Sequence, residues 1–423
     1  MSTVEPATGT MEAQAAASTL RTTHAIRERC GQLLKRARAG ESRWFTVEDA
    51  ALGTAARQVA EITKKRFPRL QVPLHSRWRH FEAGGFDRKA ELDRLVAHLP
   101  RTTRIHAFVD LTFASVLLDG GAGADWSYTE AATGKAFTRS EGLAVASFHA
   151  FTSGLFSSDK DHPCQVDAAG LRGLSTDHLA GAFQVRENNP LVGLESRAIL
   201  LRRFGEAMAE QPEAFNEDGR PSGLFDLILT PFGATEAPRT AEDSAHDILS
   251  EILLTCSGIW PAGNAIGNEP LGDCWRHEAV RGEGASDGWV PFHKLSQWLT
   301  YSLLEPFAWG GVRLHGLDAL TALAEYRNGG LLIDSGVLRL RDESVARETW
   351  RPGDELIVEW RALTVALMDE LAVEVRKLLH TDATHLPLPC ILEGGTWAAG
   401  RELAQRNRNG LPPLQVASDG TVF

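Results

Sequence analysis

The chain has 423 residues, 43% hydrophobic and 23% charged, which is the composition of a globular protein with one large core or two ordinary ones. Its 44 Lys and Arg against 55 Asp and Glu leave a net charge of −11, which argues against a nucleic-acid partner and for a small molecule. No apolar run approaches the ~18 residues of a membrane span, so no membrane partner is expected.

From the amino end, residues 1–18 are rich in Ala, Ser and Thr and contain no Arg or Lys. They lack the basic start and apolar stretch of a secretory signal and the Arg of a transit peptide, and they read as a disordered tail. Residues 19–67 read as Ala/Arg-rich helices broken at Gly40 and Pro68. In "HSRWRHFEAGG", Arg77 and Arg79 straddle Trp78 beside His80. Such a fork of guanidiniums suits a phosphate dianion, with an exposed Arg-rich turn as the alternative. Next, Ile105, Phe108, Val109, Phe113 and Val116 stand at helical spacings, and the pattern stops at Gly120-Gly121. The "GGAGAD" that follows comes after a helix, whereas a dinucleotide loop requires a strand there. "RSEGLAVASFHAF" reads equally as the start of a helix.

The five cysteines, Cys30, Cys164, Cys256, Cys274 and Cys390, are scattered and odd in number. They read as reduced thiols of a cytoplasmic protein. Cys274-x-x-His277 has metal-like spacing without a second half, and zinc needs three or four ligands; no metal and no cofactor is expected. In "WVPFHKLSQWLTYSLLEP", Lys294, Gln297, Trp298 and Tyr301 share a helical face opposite Phe292, Leu295 and Leu299. This face is either solvated surface or one wall of a polar pocket.

"TALAEYRNGGLLIDSGVL" interrupts an apolar helical pattern with Glu325-Tyr326-Arg327-Asn328, just where Gly329-Gly330 should end a helix. After Pro352-Gly353, Asp354 is a plausible cap for a helix over 354–379 with Leu356, Trp360, Leu363, Leu367, Leu371 and Leu378 on one face. Glu359 falls inside that stripe, so it needs a cation or a ligand hydroxyl. Lastly, "PCILEGGTWAAGRELAQ" offers Gly394-Gly395-Thr396 before a helix. A phosphoribosyltransferase loop has this look, but the acidic pair that precedes it is missing; a helix-starting turn is the other reading. No repeat or low-complexity linker divides residues 19–423, so a single mainly helical catalytic domain is expected.

Six stretches together, "HSRWRHFEAGG", "VDLTFASVLLDGGAGADWSY", "RSEGLAVASFHAF", "HKLSQWLTYSLLEP", "AEYRNGGLLIDSGVL" and "LEGGTWAAGRELA", resemble the uracil-catabolism family of the URC pathway. This is a domain-of-unknown-function family of fungi and bacteria, often labelled a uracil phosphoribosyltransferase. The resemblance runs from about residue 70 to the carboxyl end. The last third is also similar to queuosine-nucleotide glycosylases. Lys294 and Gln297, then Glu325-Tyr326-Arg327, Gly336-Val337-Leu338 and Glu359-Trp360-Arg361-Ala362 stand for that family's motifs in the same order. One departure is Glu325 where the relative has Asp, a shift of about 1 Å in the carboxylate that matters for catalytic geometry.

These resemblances imply an all-helical fold similar to DNA glycosylases and hydrolysis of an N-glycosidic bond on a nucleoside 5′-phosphate derivative. In the URC route the uracil ring is thought to be opened while still attached to ribose 5-phosphate, which leaves a ribosylurea phosphate that must release urea. The transition state is oxocarbenium-like, so a carboxylate beside C1′ stabilises charge or activates water. Glu325 and Lys294 are the expected catalytic residues. Arg77, Arg79, His80, Gln297, Trp298, Tyr326, Arg327, Asn328, Glu359 and Arg361 are the expected contacts to a phosphorylated ribose derivative. Lys294, Glu325 and Glu359 should face one cavity, with Arg77 or Arg79 near the phosphate. The alternatives are phosphoribosyl transfer to uracil and a non-catalytic scaffold, and the chain could associate with other uracil-catabolism enzymes.

Overall fold

Apolar residues three and four apart, in runs mostly free of Gly and Pro, dictate helices along the chain. The computed structural model describes residues 5–229, 242–261 and 263–417. Its principal helices are α1 (Glu5–Leu20), α2 (Thr23–Arg38), α3 (Asp49–Arg66), α4 (Arg77–Phe81), α5 (Arg101–Leu117), α6 (Arg139–Thr152), α7 (Leu194–Glu210), α8 (Ala245–Thr255), α9 (Lys294–Gly310), α10 (Tyr326–Asp334), α11 (Glu355–Leu379) and α12 (Trp397–Arg408). The protein is mainly α. Strands among the described residues form only two-stranded pieces, such as Phe45–Val47 antiparallel to Leu338–Leu340, and no central parallel sheet is found among them. No helix among them is long and apolar enough to cross a membrane.

The chain folds as two compact units where a single one was expected. One comprises the described residues of 1–75, 263–297 and 316–417; the other comprises those of 76–261 and 298–315. No linker marks the division because each unit is assembled from segments far apart in sequence. Helix α9 supplies its first turn to one unit and the remainder to the other.

The first unit is built on α11, with α2, α3 and α10 against it. From Leu356 to Val365 every residue of α11 is buried, so this part is a core helix enclosed on all sides rather than one with a polar face. Leu356, Trp360, Leu363, Leu367 and Leu371 are buried as the spacing required, but Leu378 is 37% exposed, because the helix emerges toward its carboxyl end. Asp354 does stand at the cap position, with its carboxylate turned back onto the Arg351 N–H at 2.6 Å. Residues 5–20 form α1, contrary to the expected disordered tail. Ala13, Ala16, Ala17 and Leu20 are buried, and Ala17 and Leu20 pack with Leu271, Cys274 and Trp289. An Ala-rich segment provides little hydrophobic signal of its own, and its small side chains suffice only when a partner surface receives them.

The helix expected to end at Gly329-Gly330 does not end there. Leu317–Ala319 is a 3₁₀ turn, residues 320–325 are irregular, and α10 starts at Tyr326 and runs through Gly329-Gly330. The glycines do not stop a helix. A Cβ at Gly329 would lie 2.7 Å from the Trp360 indole and 2.9 Å from Thr364 Oγ1, so its bare Cα allows α10 to approach α11 closely.

In the second unit, Trp78 of α4 lies edge-on to Phe81 and Trp309 and tilted on Phe108. Asp110 of α5 is buried, accepting from Arg220 at 2.5 Å and from the backbone N–H of Ser222 and Val166. The five cysteines are free thiols.

Candidate active site

Two helix beginnings in the first unit hold the residues of interest. Helix α9 starts at Lys294, whose N–H donates to Asp273 Oδ2 at 2.9 Å. His293 just before it, at φ 48°, and Phe292 both donate their N–H to the Asp273 carbonyl. Helix α10 starts after Glu325, whose two carboxylate oxygens accept the N–H groups of Arg327 and Asn328, each at 2.7 Å. A carboxylate at a helix amino end meets unpaired N–H groups and the positive end of the helix dipole. Burial nevertheless pushes the Glu325 pKa above its ordinary 4.5, with those two N–H groups and the charges of Lys294 and Arg327 pulling the other way. The Lys294 charge thus acts on Glu325 against the effect of burial.

Arg361 and Asp273 lock the two helix beginnings together. The Arg361 guanidinium lies 4.1 Å from the centroid of the Phe292 ring and donates two parallel hydrogen bonds of 2.8 Å to the Asp273 carboxylate. Its Nε donates to the carbonyl of Ala324, the residue before Glu325. Asp273 is desolvated, but Arg361, the Lys294 N–H and the Trp275 indole lower its pKa to about 2. The protein itself therefore occupies Arg361, which was expected to contact substrate: a guanidinium enclosed in a core helix requires a carboxylate, and Asp273 supplies it.

Glu359 likewise finds protein partners. Ser42 Oγ donates to its Oε1, and His277 Nε2 lies 3.3 Å from its Oε2. Cys274 Sγ sits beside His293 Nε2 at 3.6 Å, so Cys274 and His277 have different partners. The Gln297 amide is shared with Thr321: Nε2 donates to the Thr321 hydroxyl, and Oε1 accepts the Thr321 N–H at 2.9 Å. This pair fastens the 320–325 segment to α9. Of the helix face read from the sequence, only Lys294 retains exposure, while Leu295 to Thr300 are all buried. Arg327 is buried, 4.8 Å from the Tyr326 ring centroid, with Nη1 donating to the Gly410 carbonyl and Nε without a hydrogen-bond partner. Asn328 is buried and accepts from Thr396 Oγ1 at 3.0 Å.

Arg77, Arg79, His80 and Trp298 belong to the other unit. Arg77 is fully buried, 2.7 Å from Asp119, donating to Ser115 Oγ and to the Ser140 carbonyl, with His80 Nδ1 at 3.1 Å. Trp298 Nε1 donates to Asp119 Oδ2, and the His80 and Trp298 rings are 5.7 Å apart. Arg79 pairs with Glu305 at 2.8 Å and Glu82 at 3.0 Å. The two arginines therefore do not form an open fork; helical geometry sends Arg77 inward and Arg79 toward the carboxylates of its neighbours.

Two glycine-rich stretches also resolve. At 118–121 the carbonyls of Leu118, Gly120 and Gly121 accept from Arg197, so this turn presents oxygens to a cation rather than N–H groups to an anion. Gly394-Gly395-Thr396 lies in a π turn, Leu392–Thr396, between the helical turn Leu388–Ile391 and α12. A Cβ at Gly395 would lie 2.5 Å from the Val59 carbonyl oxygen of α3, so these glycines serve packing inside a helix and form no phosphate loop.

Asp273, Ser42 and Thr321 were not anticipated, and His277 and Thr396 were read only as part of a metal-like pair and of a glycine-rich turn. The available signal was Arg361 on a helix with too few polar positions to be solvated, which required an acid somewhere. Its sequence distance of 88 residues hid which one.

The family described as "Protein of unknown function (DUF1688)" matches residues 19–423. "Protein urg3" of Schizosaccharomyces pombe is 37% identical over 409 residues, 94% of this chain and 96% of that protein. "Uracil catabolism protein 4" of Lachancea kluyveri is 39% identical over 379 residues, 83% of this chain and 85% of that one.

Proposed function

The chain belongs to the DUF1688 family, and on that premise we propose that it acts in uracil catabolism by hydrolysing the N-glycosidic bond of a ribosylurea 5-phosphate. The pathway comes from the name of a relative that covers most of the chain. The chemistry rests on one observation: Glu325 is a desolvated carboxylate with a raised pKa, influenced by Lys294, at the junction of two helix beginnings. Water adds at C1′ as the C1′–N bond breaks, and urea departs with a proton while ribose 5-phosphate remains. Glu325 takes the proton of the attacking water or faces the positive charge that develops at C1′. Lys294 supplies a cation for the phosphate or a ribose hydroxyl and opposes the rise of the Glu325 pKa that burial causes. Asp273, Arg361, Gln297 and Thr321 hold these two groups in register.

Phosphoribosyl transfer loses its main support, because Gly394-Gly395-Thr396 is packed inside a helix. The deciding experiment incubates the purified protein with ribosylurea 5-phosphate and measures urea, beside a second incubation with uracil and phosphoribosyl pyrophosphate that measures UMP. Urea release without UMP is expected. UMP formation, or neither product from a folded protein, overturns the reading.

A further inference from the structure

The π turn Leu392–Thr396 is a departure from α geometry that the chain maintains with several side chains. Arg66 of α3 donates Nη1 to the carbonyls of Glu393 and Gly394 and Nη2 to Glu393 Oε1 at 2.8 Å. His75 Nδ1 lies 2.9 Å from Glu393 Oε2. Gly394 and Gly395 permit contact with Thr63 and Val59 of α3 that a side chain would prevent. A π turn inserts one extra residue into a helix, disturbs its hydrogen bonding and recurs at functional sites. Here its last residue, Thr396, is 1% exposed, and its hydroxyl lies 3.0 Å from Asn328 Oδ1, with a longer approach of 3.5 Å to the Leu392 carbonyl.

Asn328 relays that contact. Its Nδ2 donates to the Leu323 carbonyl at 3.4 Å, a pure acceptor, which leaves Oδ1 to receive the Thr396 hydroxyl. The same Leu323 carbonyl accepts the Glu325 N–H at 2.9 Å, and Glu325 Oε1 accepts the Asn328 N–H. Thr396, Asn328, Leu323 and Glu325 thus form one hydrogen-bonded chain that runs from the buried Thr396 hydroxyl to the carboxylate.

We propose that Thr396, presented by the π turn, is a positioning residue that fixes the Glu325 carboxylate through Asn328. The inference rests on Glu325 as the reacting group, but its geometric part can be tested without turnover. With glutamate labelled at the side-chain carboxyl carbon, NMR follows the Glu325 titration, and Glu325→Gln identifies the signal. Thr396→Val keeps the shape and removes the hydroxyl. Its Glu325 midpoint is expected to fall toward the ordinary value by about half a pH unit or more, as the freed segment admits water. Thr396→Ser should restore it. In the urea assay Thr396→Val should lower kcat by about tenfold or more, with KM much less affected, and Thr396→Ser should recover most of the rate. Asn328→Ala cuts the relay from the other side and carries the test if Thr396→Val does not fold. An unshifted Glu325 titration in a folded Thr396→Val protein overturns the proposal. Absence of urea release by the wild-type protein removes the glycosidase reading instead, and the titration still decides the positioning.

Discussion

If capping α10 were its whole task, Glu325 would be a poor choice, since Ser, Thr, Asp and Asn cap more effectively. This separates structure from chemistry. Glu325→Ser retains a cap and removes the carboxylate; Glu325→Gln retains size and removes the charge. Both are expected to fold and to bind ribose 5-phosphate, while urea release falls by roughly 10² or more. Wild-type turnover in either, measured at matched folded fraction, would leave the mechanism without its central residue. Lys294→Met should raise KM through loss of a contact made before the transition state. It should also move the acidic limb of the pH–rate profile upward, because Lys294 holds the Glu325 pKa down against desolvation. A limb that stays in place would separate the two residues. The linkage has a definite sign: a carboxyl raised in the fold contributes stability below its unfolded pKa, and this is lost as pH rises through the folded value. The ionised Glu325 needed for catalysis is therefore obtained at some expense to stability.

Among the elements, α11 and the two helix beginnings it braces are the most sensitive. Asp273 titrates at about 2 against an ordinary 3.8, so its contribution, roughly 2 kcal/mol, is present above pH 3.8 and lost as pH falls toward 2. Asp273→Asn leaves Arg361 buried without a counter-charge and should cost roughly 3–5 kcal/mol at neutral pH. Denaturant melts at neutral and acid pH check both points: the variant should be weaker throughout and show a smaller fall below pH 4. The α10–α11 contact makes a sharper comparison. Gly329→Ala drives a methyl into Trp360 and should destabilise by about 1–3 kcal/mol. Gly330→Ala has its nearest neighbour, Pro413, at 3.4 Å and should be neutral or stabilising by up to about 1 kcal/mol from helix propensity. Equal effects at the two positions would contradict the packing role of Gly329.

At the scale of the molecule, residues 5–20 test whether the amino-terminal segment belongs to the fold. Removing them exposes the surface of Leu271 and Trp289 covered by Ala17 and Leu20. The loss should be at least about 2 kcal/mol, or roughly 4–8 °C in Tm for a unit of this size. An unchanged melt would return the segment to the status of a tail.

Helical periodicity determined α5 and α11 from the sequence alone, because a stripe of apolar residues at three- and four-residue spacing has few other solutions, and Ala/Arg-rich composition with breaks at Gly40 and Pro68 marked α2 and α3. Glu325 stood out as a polar break in an apolar helical pattern, and Lys294 on a face that read either as solvated surface or as one wall of a polar pocket. Only the tertiary structure decided the partners. Burial made Arg361 and Glu359 demand counter-groups, but the choice of Asp273, Ser42 and His277 depends on contacts more than 80 residues away in the chain. The same holds for the glycines: Gly329 and Gly395 read locally as breaks, whereas neighbouring helices made them points of close approach. A local pattern sets which residues must be covered, and only the assembled core sets what covers them.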